Sequence, residues 1–322
     1  MGAIAPPTRA SLHYLPPIPS IPPISSISPP PPTPMSTPEI QWYPGHIAKA
    51  EKALVDQLNR VDVVLEVRDA RIPVSTRHPK VDTWVGEKPR VLVINRVDMI
   101  STEARTAWEA WFRQQGEVPY FTDGQQGKGV KAIAKAAQTA GDAVNQRRQA
   151  RGMKPRPIRA VVIGFPNVGK SALINRLLNR KVVASARRAG ITRQLRWIRL
   201  SGDLDLLDAP GVIPSRMDDQ AAALKLAICD DIGEASYDTQ RTAAIFLDVL
   251  KTLQQAGSPD DYEDLLQSRY GVALSDYSGE SFVAQAAAQK FQDNTERTAK
   301  RILNDFRTGR LGQWVLEWPP GP

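Results

Sequence analysis

The eight residues Gly164-Phe165-Pro166-Asn167-Val168-Gly169-Lys170-Ser171 constrain this chain more than any other stretch of it. They spell G-x-x-x-x-G-K-S between an apolar run, Ile158 to Ile163, that reads as a buried strand and a stretch, Ala172 to Leu178, that reads as a helix. That setting is the one a phosphate-binding loop requires. Glycines let backbone N–H groups turn inward around phosphate oxygens, the helix N-terminus adds positive dipole, and the lysine supplies a point charge to the β- and γ-phosphates. Asn167, Val168, Gly169, Lys170 and Ala172 are therefore the expected phosphate-binding set, with the Ser171 hydroxyl as a Mg²⁺ ligand. A strand feeding a helix here also points to an α/β fold, a mostly parallel sheet with helices on both faces.

Two further motifs give the site its chemistry. Asp208-Ala209-Pro210-Gly211 ends the apolar run Leu204 to Leu207, 37 residues past Ser171, and matches D-x-x-G. Asp208 is expected to reach Mg²⁺ through water, and the Gly211 amide to sense the γ-phosphate. Thr192, in Gly190-Ile191-Thr192-Arg193, stands where a switch threonine would cap the same ion. Asn95-Arg96-Val97-Asp98 follows the strand-like Val91 to Ile94 and is similar to N-K-x-D. Asp98 would accept hydrogen bonds from guanine N1–H and the 2-amino group; adenine offers neither, so ATP is expected to be rejected. Arg96 replaces the usual lysine, and its aliphatic stem can still cover the base plane. Thr122-Asp123-Gly124 is a candidate source of amides for guanine O6. Val212 follows Gly211 where a water-orienting glutamine often sits, and valine can neither donate nor accept a hydrogen bond, so unaided hydrolysis should be slow.

The motif order is unusual. Asn95 precedes Gly164 by 69 residues, so the base-reading motif comes before the phosphate motifs, which is the mark of circular permutation. Permutation keeps the strand-end loops together and moves the chain ends to another edge of the fold. Around this core, residues 1–38 are rich in Pro and Ser with no acidic residue, and they read as a disordered or polyproline-like segment. A plastid-type transit peptide and an over-long start, with Met35 the true beginning, are the other readings. Residues 39–216 read as the nucleotide-binding domain. In 217–322 no strong strand signal remains, and stretches near 218–232, 239–255, 259–269, 280–290 and 293–308 favour helix.

Composition narrows the class. The chain has 322 residues, 42% hydrophobic and 24% charged, enough for a real core, and no apolar run approaches the ~18 residues of a membrane span. A single cysteine, Cys229, excludes an internal disulfide framework. Formal net charge is +8, made of +15 over residues 1–216, −9 over 217–280 and +2 over 281–322. A basic face suited to a polyanion follows from the first figure. Arg187, Arg188, Arg193, Arg196 and Arg199 gather around the switch-like segment with Trp197 among them, a candidate RNA contact.

With these residues in view, the chain resembles the ribosome biogenesis GTPase A family of permuted GTPases over about residues 40 to 322. Its marks are Trp42-Tyr43-Pro44-Gly45-His46, Val67-Arg68-Asp69-Ala70-Arg71-Ile72-Pro73, the ordered nucleotide motifs, and Leu303-Asn304-Asp305-Phe306-Arg307-Thr308-Gly309-Arg310-Leu311-Gly312. The resemblance implies a GTP hydrolase that binds precursors of the large (50S) ribosomal subunit in its GTP state and leaves after ribosome-stimulated hydrolysis. It places a catalytic histidine at His46 and a K⁺ ligand at Asn167, beside the catalytic group Lys170, Thr192 and Gly211. It also implies rRNA contact through the last helix, by Lys300, Arg301, Arg307 and Arg310, in a cytoplasmic or plastid-stromal protein that is monomeric off the ribosome. A signalling or trafficking GTPase acting on protein partners is the rival reading; basic charge and the lack of a lipidation signal argue against it. A non-enzymatic RNA-binding module is a second, opposed by the intact Lys170, Ser171 and Asp208.

Overall fold

Six strands form one sheet in the order β3-β2-β1-β4-β6-β5, parallel except for the last pair. The computed structural model describes residues 40, 44–179, 196–200, 203–214, 218–233 and 236–320. The expectations placed on residues 1–38, Arg187, Arg188, Thr192, Arg193 and the side chain of His46 lie outside the described residues. The strands are β1 (Val63–Asp69), β2 (Arg90–Asn95), β3 (Pro119–Thr122), β4 (Ile158–Ile163), β5 (Arg196–Arg199) and β6 (Leu204–Asp208). Every residue of β1 is buried, as a central strand covered on both faces demands. The chain leaves β1 towards β2 and β3 on one side, then returns to place β4 and β6 on the other. The reversal between β1 and β4 is a topological switch point, and ligands of open α/β sheets bind at the carboxyl ends of the strands there.

Helices cover both faces. α4 (Val130–Ala150) and α5 (Lys170–Leu177) pack on one, where Val63, Leu65 and Val67 of β1 meet Ile133, Leu173 and Ile174. On the other, α1 (Pro44–Leu58) and the short α2 (Val81–Val85) bury Leu54, Leu58, Val81 and Trp84 against Val64, Val161 and Leu207. α3 (Thr102–Gln114) closes the far end of that face with Trp108 and Phe112 over Leu92 and Ile94. β5 pairs antiparallel with β6, Ile198 lying opposite Leu206.

After β6 the chain is helical throughout its described residues: α6 (Gln220–Cys229), α7 (Thr239–Gln255), α8 (Glu263–Tyr270), α9 (Gly279–Lys290) and α10 (Thr295–Arg307). Local chemistry sets these starts, since Asp219, Asp238, Ser278 and Asn294 each accept the amide three residues on at 2.7–3.2 Å. Each such cap contributes about 1 kcal/mol. The apolar stripe of α10, Ala299, Ile302, Leu303 and Phe306, is fully buried, and each of the larger three contributes about 1.5–3 kcal/mol. One continuous apolar cluster joins the sheet to these helices, running from Leu65 and Leu173 through Leu226 and Ile232 to Phe246 and Phe306. The boundary expected at 216/217 is therefore a packed junction.

Beyond α10 the chain turns back onto the sheet half. The Leu316 amide donates to Arg71 O at 3.0 Å, Val315 joins the cluster under α3, and Gln313 Nε2 donates to Asp98 O at 3.0 Å. The buried Glu317 carboxylate accepts the amides of Val74 and Ser75, the Ser75 hydroxyl, and Lys225 Nζ at 3.2 Å.

The basic residues expected to line α10 are largely occupied by carboxylates or carbonyls. Asp305, fully buried, accepts from Arg269, Tyr270 and Arg301 at 2.7, 3.0 and 2.9 Å, with Arg310 at 3.5 Å. Arg307 points inward to the carbonyls of Ala227 and Ile228, and Lys300 pairs with Glu296 at 2.8 Å. Burial pushes the Asp305 pKa up, but hydrogen bonds from Arg269 and Tyr270 and the arginine charges outweigh it and hold the carboxyl below its ordinary value. A depressed carboxylate stabilises fully above its unfolded pKa of about 4 and loses that contribution as pH falls through the folded value. Asp305→Asn should therefore cost about 2 kcal/mol near neutrality and progressively less below pH about 4, read from urea midpoints at several pH values. The same cost throughout would show that the charge is not what matters.

Candidate functional site

The loop between β4 and α5 wraps its backbone around a small cradle, and close approaches explain its glycines. A Cβ on Gly164, whose φ is +152°, would meet Val67 O at 2.3 Å; one on Gly169, φ +95°, would meet Asn95 Nδ2 at 2.2 Å. Lys170 lies buried across the loop and donates to Gly164 O at 3.1 Å and Phe165 O at 2.6 Å. Burial lowers its pKa to about 8, against the pull of Asp208 and Asp231. The D-x-x-G turn lies directly on this loop: Val212 N donates to Gly164 O at 3.2 Å, and a Cβ on Gly211 would strike Pro166 at 2.6 Å.

Asp208 ends β6 with its carboxylate buried beside the lysine. Burial pushes its pKa up to about 6, with Lys170 pulling the other way, and its Oδ1 has no hydrogen-bond partner among the described residues. An orphaned, buried carboxylate oxygen at the mouth of a phosphate loop fits an ordered water on a hard cation. Val212 is buried in the apolar cluster that also holds Leu54 and Leu58 of α1, the helix whose first turn contains His46.

The base-reading motif follows β2 and is braced to the phosphate loop. Asn95 Nδ2 donates to Val168 O at 2.8 Å, while its Oδ1 accepts Thr122 Oγ1 at 3.1 Å and Gly124 N at 3.0 Å. Asn95 thus ties three segments together and spends both ends of its amide doing so. Asp98 lies in a turn of 3-10 helix, Val97–Met99, and is exposed; burial of part of its carboxylate, then repulsion from Asp123, raise its pKa. A carboxylate whose proton affinity is raised in this way is poised to accept N–H donors.

The segment Thr122-Asp123-Gly124 is used differently from the sequence expectation. Asp123 N donates to Lys128 O, Gly124 N to Asn95, and the amides of Gln125 and Gln126 to Asp123 Oδ1 at 2.8 and 3.0 Å. The amides of 123–126 are committed to the turn itself, so Thr122 and Asp123 act here by holding Asn95 and shaping the loop.

A buried charge cluster beneath both loops carried no role in the sequence reading. Arg71 grips Asp69 through Nε at 3.0 Å and Nη2 at 2.7 Å, both side chains being fully buried, and donates onward to Cys229 O at 3.1 Å. Arg96, with φ of +65°, reaches Asp69 at 3.3 Å and hydrogen-bonds Asn167 O. Asn167 Nδ2 donates to Asp230 O at 2.6 Å, so its amide nitrogen is fixed and its Oδ1 accepts no hydrogen bond among the described residues. Asp231 is also fully buried, both carboxylate oxygens lack partners among the described residues, and burial followed by Asp69 raises its pKa well above the ordinary value. Asp69 and Arg71 were visible only as part of a motif, and nothing local to Asp231 signals its burial.

A phosphate loop, a metal-type carboxylate, a D-x-x-G turn and an N-R-x-D turn at one switch point, in permuted order, define a P-loop GTPase. The family described as "50S ribosome-binding GTPase" matches residues 159–267. Ribosome biogenesis GTPase A of Bacillus cereus is 32% identical over 288 residues, covering 87% of this chain and 94% of that protein. Mitochondrial ribosome-associated GTPase 1 of Xenopus tropicalis is 35% identical over 295 residues, covering 86% and 94%. In fold, the chain is similar to GNP-bound YlqF from T. maritima, with a TM-score of 0.56 at 22% identity, over 85% of this chain and 100% of that one. The chain belongs to the ribosome biogenesis GTPase A family.

The base-reading role expected of Asp98 is open to a sharp test. Xanthine carries a C2 carbonyl where guanine carries the 2-amino group, so Asp98→Asn should weaken GTP binding by on the order of 100-fold and favour XTP, measured by competition against a fluorescent guanine nucleotide. Unchanged GTP preference in that variant would remove Asp98 from the base pocket.

Proposed function

We propose that this GTPase serves as a checkpoint in assembly of the large (50S) ribosomal subunit, binding precursor particles with GTP and leaving after hydrolysis. What supports the reading is that Asn95 braces the base-motif turn to the phosphate loop, on which the D-x-x-G turn also lies, in a chain of this family. Names of its relatives support the ribosomal partner: one is a mitochondrial ribosome-associated GTPase, and the matching family is described as 50S ribosome-binding.

In this reading residues 39–216 are the catalytic unit and 217–322 the helical unit that meets the particle, the first 38 residues being a plastid-type address, a tail outside both units or an over-long start. No helix among the described residues is long and apolar enough to cross a membrane. The protein works as a monomer in the cytoplasm, or in the plastid stroma if that address is real. Ser171, Thr192 and, through water, Asp208 would hold Mg²⁺, which would supply charge neutralisation to the triphosphate. The phosphate-loop amides and Lys170 hold the triphosphate in line. Asn167, its nitrogen anchored on Asp230 O, would offer its Oδ1 to K⁺, whose positive charge would stand in for an arginine finger. His46 orients the attacking water. Its helix shares an apolar cluster with Val212, so a partner that shifts α1 also shifts the D-x-x-G turn, and this supports a ribosome-triggered step.

The test is cosedimentation with large-subunit precursors in the presence of a non-hydrolysable GTP analogue or GDP, together with hydrolysis measured in K⁺ and in Na⁺. Retention with the analogue, release with GDP and faster turnover in K⁺ are expected. Equal sedimentation with both nucleotides would defeat the checkpoint reading, and equal rates in the two salts would remove K⁺ from it.

A further inference from the structure

The edge strand β5 bears a surface that no part of the nucleotide pocket uses. Trp197 is 39% exposed and is the one large aromatic among the exposed hydrophobic residues described. It does not stand in an apolar patch: the exposed Arg199 shares its face of the strand, the exposed Arg196 precedes it on the opposite face, and the Arg159 guanidinium of β4 sits 5.8 Å from its ring centroid. Strand register sets this arrangement. Arg199 and Arg159 both lie opposite Asp205 of β6, and Trp197 lies opposite Leu207, one step nearer the D-x-x-G turn. Asp205 pairs with Arg199 at 3.1 Å, while Arg159 and Arg196 form no ion pair among the described residues. The stretch 151–200 contains 13 Lys and Arg and no Asp or Glu.

We propose that Trp197, framed by Arg159 and Arg199 on one face of the sheet edge, is a stacking platform for an unpaired RNA base. The inference deepens the large-subunit reading by naming the face that meets RNA. An indole backed by a guanidinium presents one π-face to a base, and the surrounding arginines engage the phosphates on either side. Such a platform is tolerant of base identity and selects single strands, because a base inside a duplex already has its stacking partners. An apolar protein loop would leave the arginines here uncompensated and lone carboxylates would leave the indole face uncovered, whereas a polyanion with exposed rings satisfies both features. The location adds a consequence: Arg196 lies opposite Asp208, so an RNA strand held on β5 abuts the strand end that carries the metal-type carboxylate.

Binding of full-length protein to a fluorescein-labelled short single-stranded RNA, followed by anisotropy, tests this with a duplex of the same sequence alongside. Stacking is worth about 1–3 kcal/mol per base, so Trp197→Ala should weaken single-strand binding about 5- to 100-fold while Trp197→Phe stays within about threefold. Arg199→Ala should flatten the salt dependence by about 0.7 in slope. Thermal midpoints and intrinsic GTP hydrolysis of both tryptophan variants, which lie outside the nucleotide pocket, should match the parent. Unchanged single-strand affinity in Trp197→Ala, preference of the parent for the duplex, or no RNA binding by the parent would each overturn the proposal. So would a Trp197→Ala variant that keeps RNA affinity but no longer cosediments with precursor particles, since that result assigns the face to a protein. Free oligonucleotide binding is independent of the nucleotide-dependent sedimentation above, so the two readings fail separately.

Discussion

The ion pair between Asp69 and Arg71 is the joint on which the two halves of the molecule turn. It sits at the carboxyl end of the central strand with no exposure to water, where an unpaired charge would cost several kcal/mol. Its neutralisation depends on residues from everywhere else: Arg96 from the base-reading turn, the Cys229 carbonyl from the end of α6, and Phe306 of α10, over whose ring the Arg71 guanidinium lies at 5.3 Å. Burial raises the Asp69 pKa, but Arg71 and then Arg96 outweigh it and hold the carboxyl below its usual value. Removing either partner of a buried pair typically costs about 3–5 kcal/mol, so the sheet, the base motif and the helical half are energetically one unit at this point.

The end of α6 shows how that unit is built. A helix leaves its last carbonyls without intrahelical partners, and here donors from distant segments take them. Arg307 of α10 takes Ala227 and Ile228, Arg71 takes Cys229, and Asn167 of the phosphate loop takes the Asp230 carbonyl just beyond. Asp230 itself adopts φ of +64° to close the helix. The phosphate loop and the last helix of the chain are therefore linked through one helix terminus. A shift of α10 on a particle has a direct mechanical route to Asn167.

Much of this was legible in the residues, for physical reasons. Phosphate cradles and strand-end turns are encoded by short contiguous motifs, so Asn95 and Asp208 lie at strand ends and Lys170 at a helix start as their motifs require, and period-2 and period-3.6 patterns point to the strands and the C-terminal helices. What stayed hidden depends on long-range pairing. The sequence could not say that Asp305 gathers Arg269, Arg301 and Arg310, or that Arg307 turns inward, so the last helix read as more freely basic than it is. Nor could it say that the amides after Thr122 would be consumed by their own turn. Glu317 pairs with Val74 and Ser75 across more than 240 positions, a separation no local pattern reports.

The replacement of lysine by Arg96 in the base-reading motif follows from the same joint. A lysine has one ammonium on a flexible stem and acts as a point charge, whereas arginine presents a planar fork of donors. Arg96 uses that fork in two directions, Nη1 towards the Asp69 carboxylate and Nη2 to the Asn167 carbonyl, with its backbone in the left-handed region. A single ammonium placed to satisfy Asp69 would leave the Asn167 carbonyl without that donor. The residue expected to cover the base plane thus also neutralises the buried carboxylate and fixes the loop residue proposed to ligate K⁺. Base recognition, phosphate-loop geometry and attachment of the helical half converge on one guanidinium. The departure from the usual motif is the form that coupling takes in this chain.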